Sequence, residues 1–306
     1  MTPPLMRAAV LGSPIGHSRS PELHGAAYAG LGLEVDYRRI RADVGDLDRV
    51  LDSLSATGDR WLGLSVTMPL KVELARRTGT ASDRVGRLGA LNTVVFDAGG
   101  RPDPSTAYGE NTDVDGIVGA LGEVTPRRPR SMAVLGAGAT TAAALEAARD
   151  LGCADAAVYA RSPARAEELG GPAERLGLSL RIRELSTFAD DLLAGPPDLV
   201  VSALPAGAAD GTAASVADRI PAPGPAHAPM PPLLDVAYDP WPSALARVWA
   251  VRAGSSVSGL HMLLHQAVEQ VRLFTAGTDR PFDSLAAEEQ DRTAAQMRTA
   301  VGLPAV

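Results

Sequence analysis

Cysteine is almost missing from this chain: 306 residues contain a single one, Cys153. No intrachain disulfide can form, and a cysteine-built metal site is excluded. Cys153 lies in a Leu-Gly-Cys-Ala segment beside an expected helix, where small, inert packing is its expected role. Long apolar runs are missing as well. Those present are interrupted well short of a membrane span. The N-terminal Met-Thr-Pro-Pro-Leu-Met-Arg lacks the charged and apolar zones of a secretory signal. A soluble, cytosolic protein is expected, with no membrane partner. Positive charge is in deficit, with 29 Lys and Arg against 36 Asp and Glu, a net charge of −7. That balance lacks the basic footprint of a nucleic-acid binder, although net charge alone assigns no function.

What is present is ample core material. Hydrophobic residues make up 45% of the chain, and the length suffices for two domains. Ala8 to Leu11 reads as a short strand ending at Gly12. Ser20 before Pro21 reads as a helix N-cap with proline at the first helical position, and Leu23, Ala27 and Leu31 supply the apolar face. Val35 to Ile40 and Trp61 to Val66 read as strands, Leu47 to Leu54 as an amphipathic helix, and Pro69 as the start of another helix. Leu91 to Phe96 and Tyr108 to Asn111 read as strands around a turn at Asp97 to Gly100, with a helix from about Asp113. Alternating strands and helices give an α/β domain.

A second α/β unit begins at Ser131, with strands at Met132 to Leu135, Ala156 to Ala160, Leu199 to Ser202 and Leu233 to Val236. Thr140 to Leu151 is an Ala-rich helix, and Ile220 to Pro232 a proline-rich loop. The C-terminal part is helical, over Gly259 to Phe274 and from Ser284 to about Ala300. The expected division is a substrate-binding α/β domain over 1–112 and a Rossmann-type domain over 113–253. Helices over 254–306 then return to the first domain.

A strand, then Gly136-x-Gly138, then a helix is the opening of a dinucleotide fingerprint. Glycines let the backbone approach a pyrophosphate, and the helix N-terminus favours the anion. Thr141 stands where Gly or Ala is usual, and such turns also serve as plain connections. The next strand ends in Arg161 and Ser162, with Arg165 following and no acid. A cationic end suits the extra phosphate of NADP rather than NAD. Two surface arginines at a helix start are the ordinary alternative, but the helix dipole disfavours cations there.

Four polar clusters fall at strand ends: Ser13 to Ser20, Ser65 to Lys71, Gly89 to Thr93, and Gly109 to Asp113. Ser20 as a cap explains one serine but not Ser18 as well, and two hydroxyls at a helix N-terminus suit a carboxylate. Lys71 early in a helix is an unfavourable place for a cation, whereas Asp113 is plausible as an N-cap. Their order and wording, with Asp235 to Pro240 and Gly259 to Ala267, resemble the shikimate dehydrogenase family from Val10 through Gln270. The carrying segments include Gly12-Ser13-Pro14-Ile15-Gly16-His17-Ser18-Arg19-Ser20-Pro21, Val66-Thr67-Met68-Pro69-Leu70-Lys71, Asn92-Thr93 and Asn111-Thr112-Asp113.

The resemblance implies NADPH-dependent reduction of 3-dehydroshikimate to shikimate. It implies Lys71 and Asp113 as the catalytic pair, with Ser18 and Ser20 on the substrate carboxylate. Thr67, Asn92, Gln266 and Tyr238 line the rest of the substrate pocket. Gly136, Gly138, Ala139, Arg161, Ser162, Arg165, Gly259 and Met262 are the expected NADP contacts. Quinate or aminoshikimate dehydrogenases share the motifs, and a catalytically silent ligand-binding relative is the alternative from another class. A folate-linked dehydrogenase of similar build would lack the paired Ser18 and Ser20. Ser65 and Ala160 stand where the family usually has Asn. His261 and His265 are spaced as zinc ligands can be, but without a Glu between them or a third ligand in evidence, and no metal is expected. The oligomeric state stays open, a homodimer being among the options.

Overall fold

The computed structural model describes residues 5–125, 128–221 and 230–305. The N-terminal Met1–Pro4 and most of the proline-rich stretch lie outside them. The chain divides into two compact units, one of residues 1–112 and 266–306, the other of residues 113–265.

The first unit is built on a mixed sheet of β1 (Met6–Gly12), β2 (Val35–Arg41), β3 (Arg60–Val66), β4 (Thr80–Ala81), β5 (Thr93–Val95) and β6 (Tyr108–Glu110), in the order β2-β1-β3-β5-β6-β4. β1 runs parallel to both β2 and β3. Ala8, Ala9, Val10 and Leu11 are all buried, as a central parallel strand covered on two faces requires. β5 pairs antiparallel with β3 and β6. The C-terminal helices close this unit. Phe274 packs with Ala8 and Leu62, and a side chain at Gly63 would collide with the Phe274 ring, its added Cβ 2.2 Å from Cε1. The helix Ala287–Ala300 packs on the helix Ser20–Leu31.

The second unit holds a fully parallel sheet of β7 (Ser131–Leu135), β8 (Asp155–Ala160), β9 (Ser179–Glu184), β10 (Leu199–Ser202), β11 (Leu233–Asp235) and β12 (Ser256–Ser258), ordered β12-β11-β10-β7-β8-β9. Read from β9, this is the doubly wound Rossmann order, with its switch point between β7 and β10. Its core gathers Leu135, Phe188, Val200, Leu233 and Trp249.

Several expectations need correction. Arg19, not Ser20, takes the N-cap position, without a side-chain cap, and Ser20 is the first helical residue. The helix expected from Pro69 starts at Lys71, because the Leu70 N–H closes a turn onto the Thr67 carbonyl first. The last helix starts at Ala287, after a 3-10 turn at Phe282–Ser284. The boundary expected at 254 falls at 265/266, inside the helix Gly259–Thr275, because β12 still pairs with β11. β4, β9 and β12 lie outside the strands that the sequence patterns predict.

Candidate active site

In the first unit the loops after β1 and β3 are laced together. The Ser13 N–H donates to the Met68 carbonyl and the Thr67 N–H to the Leu11 carbonyl, each at 2.9 Å. Gly12 makes the close approach tolerable, since a Cβ there would lie 2.3 Å from Thr67 Cγ2. The Lys71 carbonyl accepts from the Leu91 N–H at 3.1 Å, which draws in the Asn92 segment. Ser18, Ser20, Thr67, Lys71 and Asn92 are therefore carried by neighbouring loops at one end of the β1–β3–β5 strands, where α/β folds bind ligands.

The Ser18 hydroxyl donates to Ser20 Oγ at 3.2 Å and accepts from the Ser20 N–H at 3.3 Å. With no capping bond to make, Ser20 keeps its hydroxyl for this pair. Asn92 is held at both ends. Its Oδ1 accepts from the Thr112 N–H at 2.7 Å and the Thr93 hydroxyl at 2.8 Å, while its Nδ2 donates to Gln266 Oε1 at 3.2 Å. Asn111 is a scaffold residue, donating to the Ala90 carbonyl at 2.9 Å.

Lys71 is the only lysine of the chain; the other 28 cations (29 Lys and Arg less Lys71) are arginines. That count is a sequence signal the motif reading did not use. An ammonium occurs once, at the head of the helix Lys71–Arg77, where the dipole disfavours it.

Ser65 is held in a buried polar network. Its oxygen accepts from the Tyr37 hydroxyl at 2.7 Å, and its own proton goes to Gln270 Oε1 at 2.6 Å. Gln270 Nε2 donates to the Asn92 carbonyl at 3.1 Å and to Thr93 Oγ1 at 2.9 Å. His24, fully buried, stacks on Tyr37 with ring centroids 4.1 Å apart and reaches Gln270 Oε1 through Nε2 at 3.2 Å. Burial pushes its pKa down to about 3, against a smaller upward pull from Gln270. His24, Tyr37 and Gln270 escaped the sequence reading. Gln270 left one trace, a second glutamine one helical turn after Gln266 on a largely apolar face.

In the second unit, Asp113 opens the helix Asp113–Gly122 and is buried. Gly136 takes φ +116°, and a side chain there would press its Cβ to 3.3 Å from the Ala203 carbonyl oxygen across the switch point. Thr141 supplies the side-chain half of a capping box, its hydroxyl accepting the Gly138 N–H at 3.2 Å, while its own N–H donates to the Gly138 carbonyl at 2.9 Å. The departure from a small residue thus fixes the turn. Arg161, Ser162 and Arg165 are exposed beyond β8. A cleft of about 450 Å³ opens beside Ala160 and Arg161, with Ser186, Thr212, Ser215 and the acidic Glu184 on its walls. A glycine turn, a 13-residue helix and an arginine at the end of the second strand fit an NADP phosphate cradle.

Gly259 is indispensable for packing, since a Cβ would fall 2.0 Å from the Val236 carbonyl oxygen. Met262 is buried and Tyr238 half-buried. Asp235, its pKa raised by burial against the pull of Ser243 and the Ala237 N–H, accepts the Ser243 hydroxyl at 2.6 Å and so ties together the two ends of the loop that carries Tyr238. His261 Nδ1 and His265 Nε2 both meet Glu123, at 2.9 and 2.8 Å. The carboxylate partner is therefore present, from outside the helix. Among the described residues no group of three His, Cys, Asp or Glu side chains is placed to hold a metal ion, and no helix is long and apolar enough to cross a membrane.

A family model described as the shikimate dehydrogenase substrate binding domain matches residues 10–94. A shikimate dehydrogenase (NADP(+)) of Methanothermobacter thermautotrophicus is 31% identical over 280 residues, 90% of this chain and 92% of that protein. The chain belongs to the shikimate dehydrogenase family. Among solved structures, the shikimate dehydrogenase of Mycobacterium tuberculosis is similar at 36% identity and a TM-score of 0.76, covering 95% of this chain and 99% of that one. The Thermus thermophilus family member, crystallised with NADP(H) and shikimate, is 27% identical with a TM-score of 0.70, covering 96% and 100%. The chain also matches a pentafunctional AROM polypeptide of Yarrowia lipolytica at 31% identity, spanning only 16% of its length.

Proposed function

We propose that this chain is an NADP-dependent oxidoreductase that interconverts 3-dehydroshikimate and shikimate, with Lys71 moving the proton and Asp113 orienting it and the substrate. One observation carries the residue assignment: Ser18, Ser20, Thr67, Asn92 and the chain's single lysine converge on one end of one sheet. Ser18 and Ser20 offer paired hydroxyls to a carboxylate. Asn92 and Gln266 contact the ring hydroxyls, Thr67 assists from the floor of the pocket, and Tyr238 is assigned to its lining. Gly136, Gly138 and Ala139 admit the pyrophosphate to the helix start. Arg161, Ser162 and Arg165 take the 2′-phosphate, and Gly259 and Met262 face the nicotinamide.

When bound, NADP(H) supplies or takes the hydride. The chain's own residues handle the charge that results. Negative charge develops on the carbonyl oxygen in reduction; the Lys71 ammonium opposes it and delivers the proton. In oxidation the same amine accepts the hydroxyl proton.

The test is kcat/KM over a panel of shikimate and quinate with NADP⁺ and NAD⁺. Shikimate with NADP⁺ should lead; equal rates with both cofactors would remove the Arg161 assignment. Lys71→Ala should lower kcat by roughly 10²–10⁴-fold with little change in KM. A pure KM effect would contradict proton transfer. Ser18→Ala should chiefly raise the KM for shikimate.

A further inference from the structure

The buried polar wall of the first unit has a hydrogen-bond direction that one backbone carbonyl decides. The Asn92 carbonyl can only accept, and the Gln270 amide lies 3.1 Å from it. The Gln270 NH₂ must therefore face Asn92, which leaves Oε1 as a pure acceptor. Two groups reach that oxygen, the Ser65 hydroxyl at 2.6 Å and His24 Nε2 at 3.2 Å. Both must donate. His24 is thus the Nε2–H tautomer, and its Nδ1 accepts from the Tyr28 hydroxyl at 3.2 Å. Ser65 has a single proton and has spent it, so the 2.7 Å contact with Tyr37 runs from the Tyr37 hydroxyl to Ser65 Oγ. One lone pair is what Ser65 has left. An asparagine in its place would carry an NH₂ as well.

We propose that Gln270 is a positioning residue that fixes Ser65 as a pure acceptor toward the substrate, so that the ring substituent set against Ser65 must be a hydrogen-bond donor. Hydroxyl and amine substituents satisfy it; fluorine does not. This rests on the reading of the Ser18–Lys71–Asn92 wall as the substrate wall. Gln270 itself acts through Ser65, His24, Asn92 and Thr93.

The direction of the network and its consequence for specificity are measured separately. ¹⁵N-histidine spectra of the whole protein, with His24 assigned through His24→Gln, should show a neutral Nε2–H imidazole. An Nδ1–H or charged His24 overturns the proposal, whatever the protein turns over. Then kcat/KM is compared for shikimate and for analogues bearing fluorine or an amine at each non-reacting ring hydroxyl. At one position fluorine should cost tenfold or more, the range for leaving a buried polar group unmatched, while the amine is accepted. Fluorine tolerated within threefold at every position overturns the proposal. In Gln270→Met the Ser65 proton is released to turn toward the ligand. The fluorine penalty should then fall below threefold while KM for NADP⁺ stays unchanged; an undiminished penalty in the folded variant also overturns it. Absence of any turnover of shikimate would instead sink the functional reading, and the histidine spectrum would still decide the direction of the network.

Discussion

His24 shows what a buried titratable residue costs. It has no solvent exposure, and its pKa is pushed from 6.5 down to about 3. The folded state therefore refuses a proton that the unfolded chain binds below pH 6.5. Stability from this group is fully present above pH 6.5 and is lost as pH falls from 6.5 toward 3. The slope within that window is at most about 1.4 kcal/mol per pH unit. Urea unfolding at pH 7.0 and 5.0 should show the drop, and His24→Gln should flatten it. A variant with the wild-type pH dependence would assign the effect elsewhere. At this scale the candidate chemical residues are legible in the sequence, and the residues that hold them are not. Ser18, Lys71 and Asn92 stand in recognisable words, whereas His24, Tyr37 and Gln270 meet only after residues far apart in the chain are folded together.

Glycines separate scaffold from site at the scale of the element. Gly259 begins its helix against the Val236 carbonyl, and Gly138 opens its helix with nothing within 4 Å of an added Cβ. Gly259→Ala should cost roughly 1–3 kcal/mol or more, because the obstacle is backbone that cannot swing aside. Gly138→Ala should leave the melting temperature within a degree or two and raise KM for NADP⁺, since the added methyl stands where the pyrophosphate approaches. Thermal melts and cofactor kinetics of the two variants check this, and a destabilised Gly138→Ala with normal cofactor affinity would reverse the assignment. Strong periodic elements were legible: β1, β7 and the helix Gly259–Thr275 stand close to where their patterns put them. β9 was not, because Ser-Leu-Arg-Ile-Arg-Glu is an edge strand whose exposed positions hold charge. β12, at three residues, is too short for any period to register. The clasp of Glu123 on His261 and His265 was missed for another reason: the carboxylate comes from the end of a different helix.

Each unit carries its own sheet and its own apolar core. A ligand stabilises the structure that binds it by RT ln(1 + [L]/Kd), about 2.7 kcal/mol at one hundred times Kd. The residues assigned to the adenine-side phosphates, Gly136 through Arg165, all belong to the second unit. NADP⁺ at that excess should therefore slow amide hydrogen exchange through β7, β8 and β10, whose protection reflects opening of the Rossmann sheet. Strands β1 and β3 should change little, because their core gains nothing from that equilibrium. NAD⁺ at the same concentration should give a smaller effect, and Arg161→Ala should bring the two cofactors level. Equal protection of both sheets by NADP⁺ would mean that the units open as one cooperative structure, against the independence that separate sheets and cores imply.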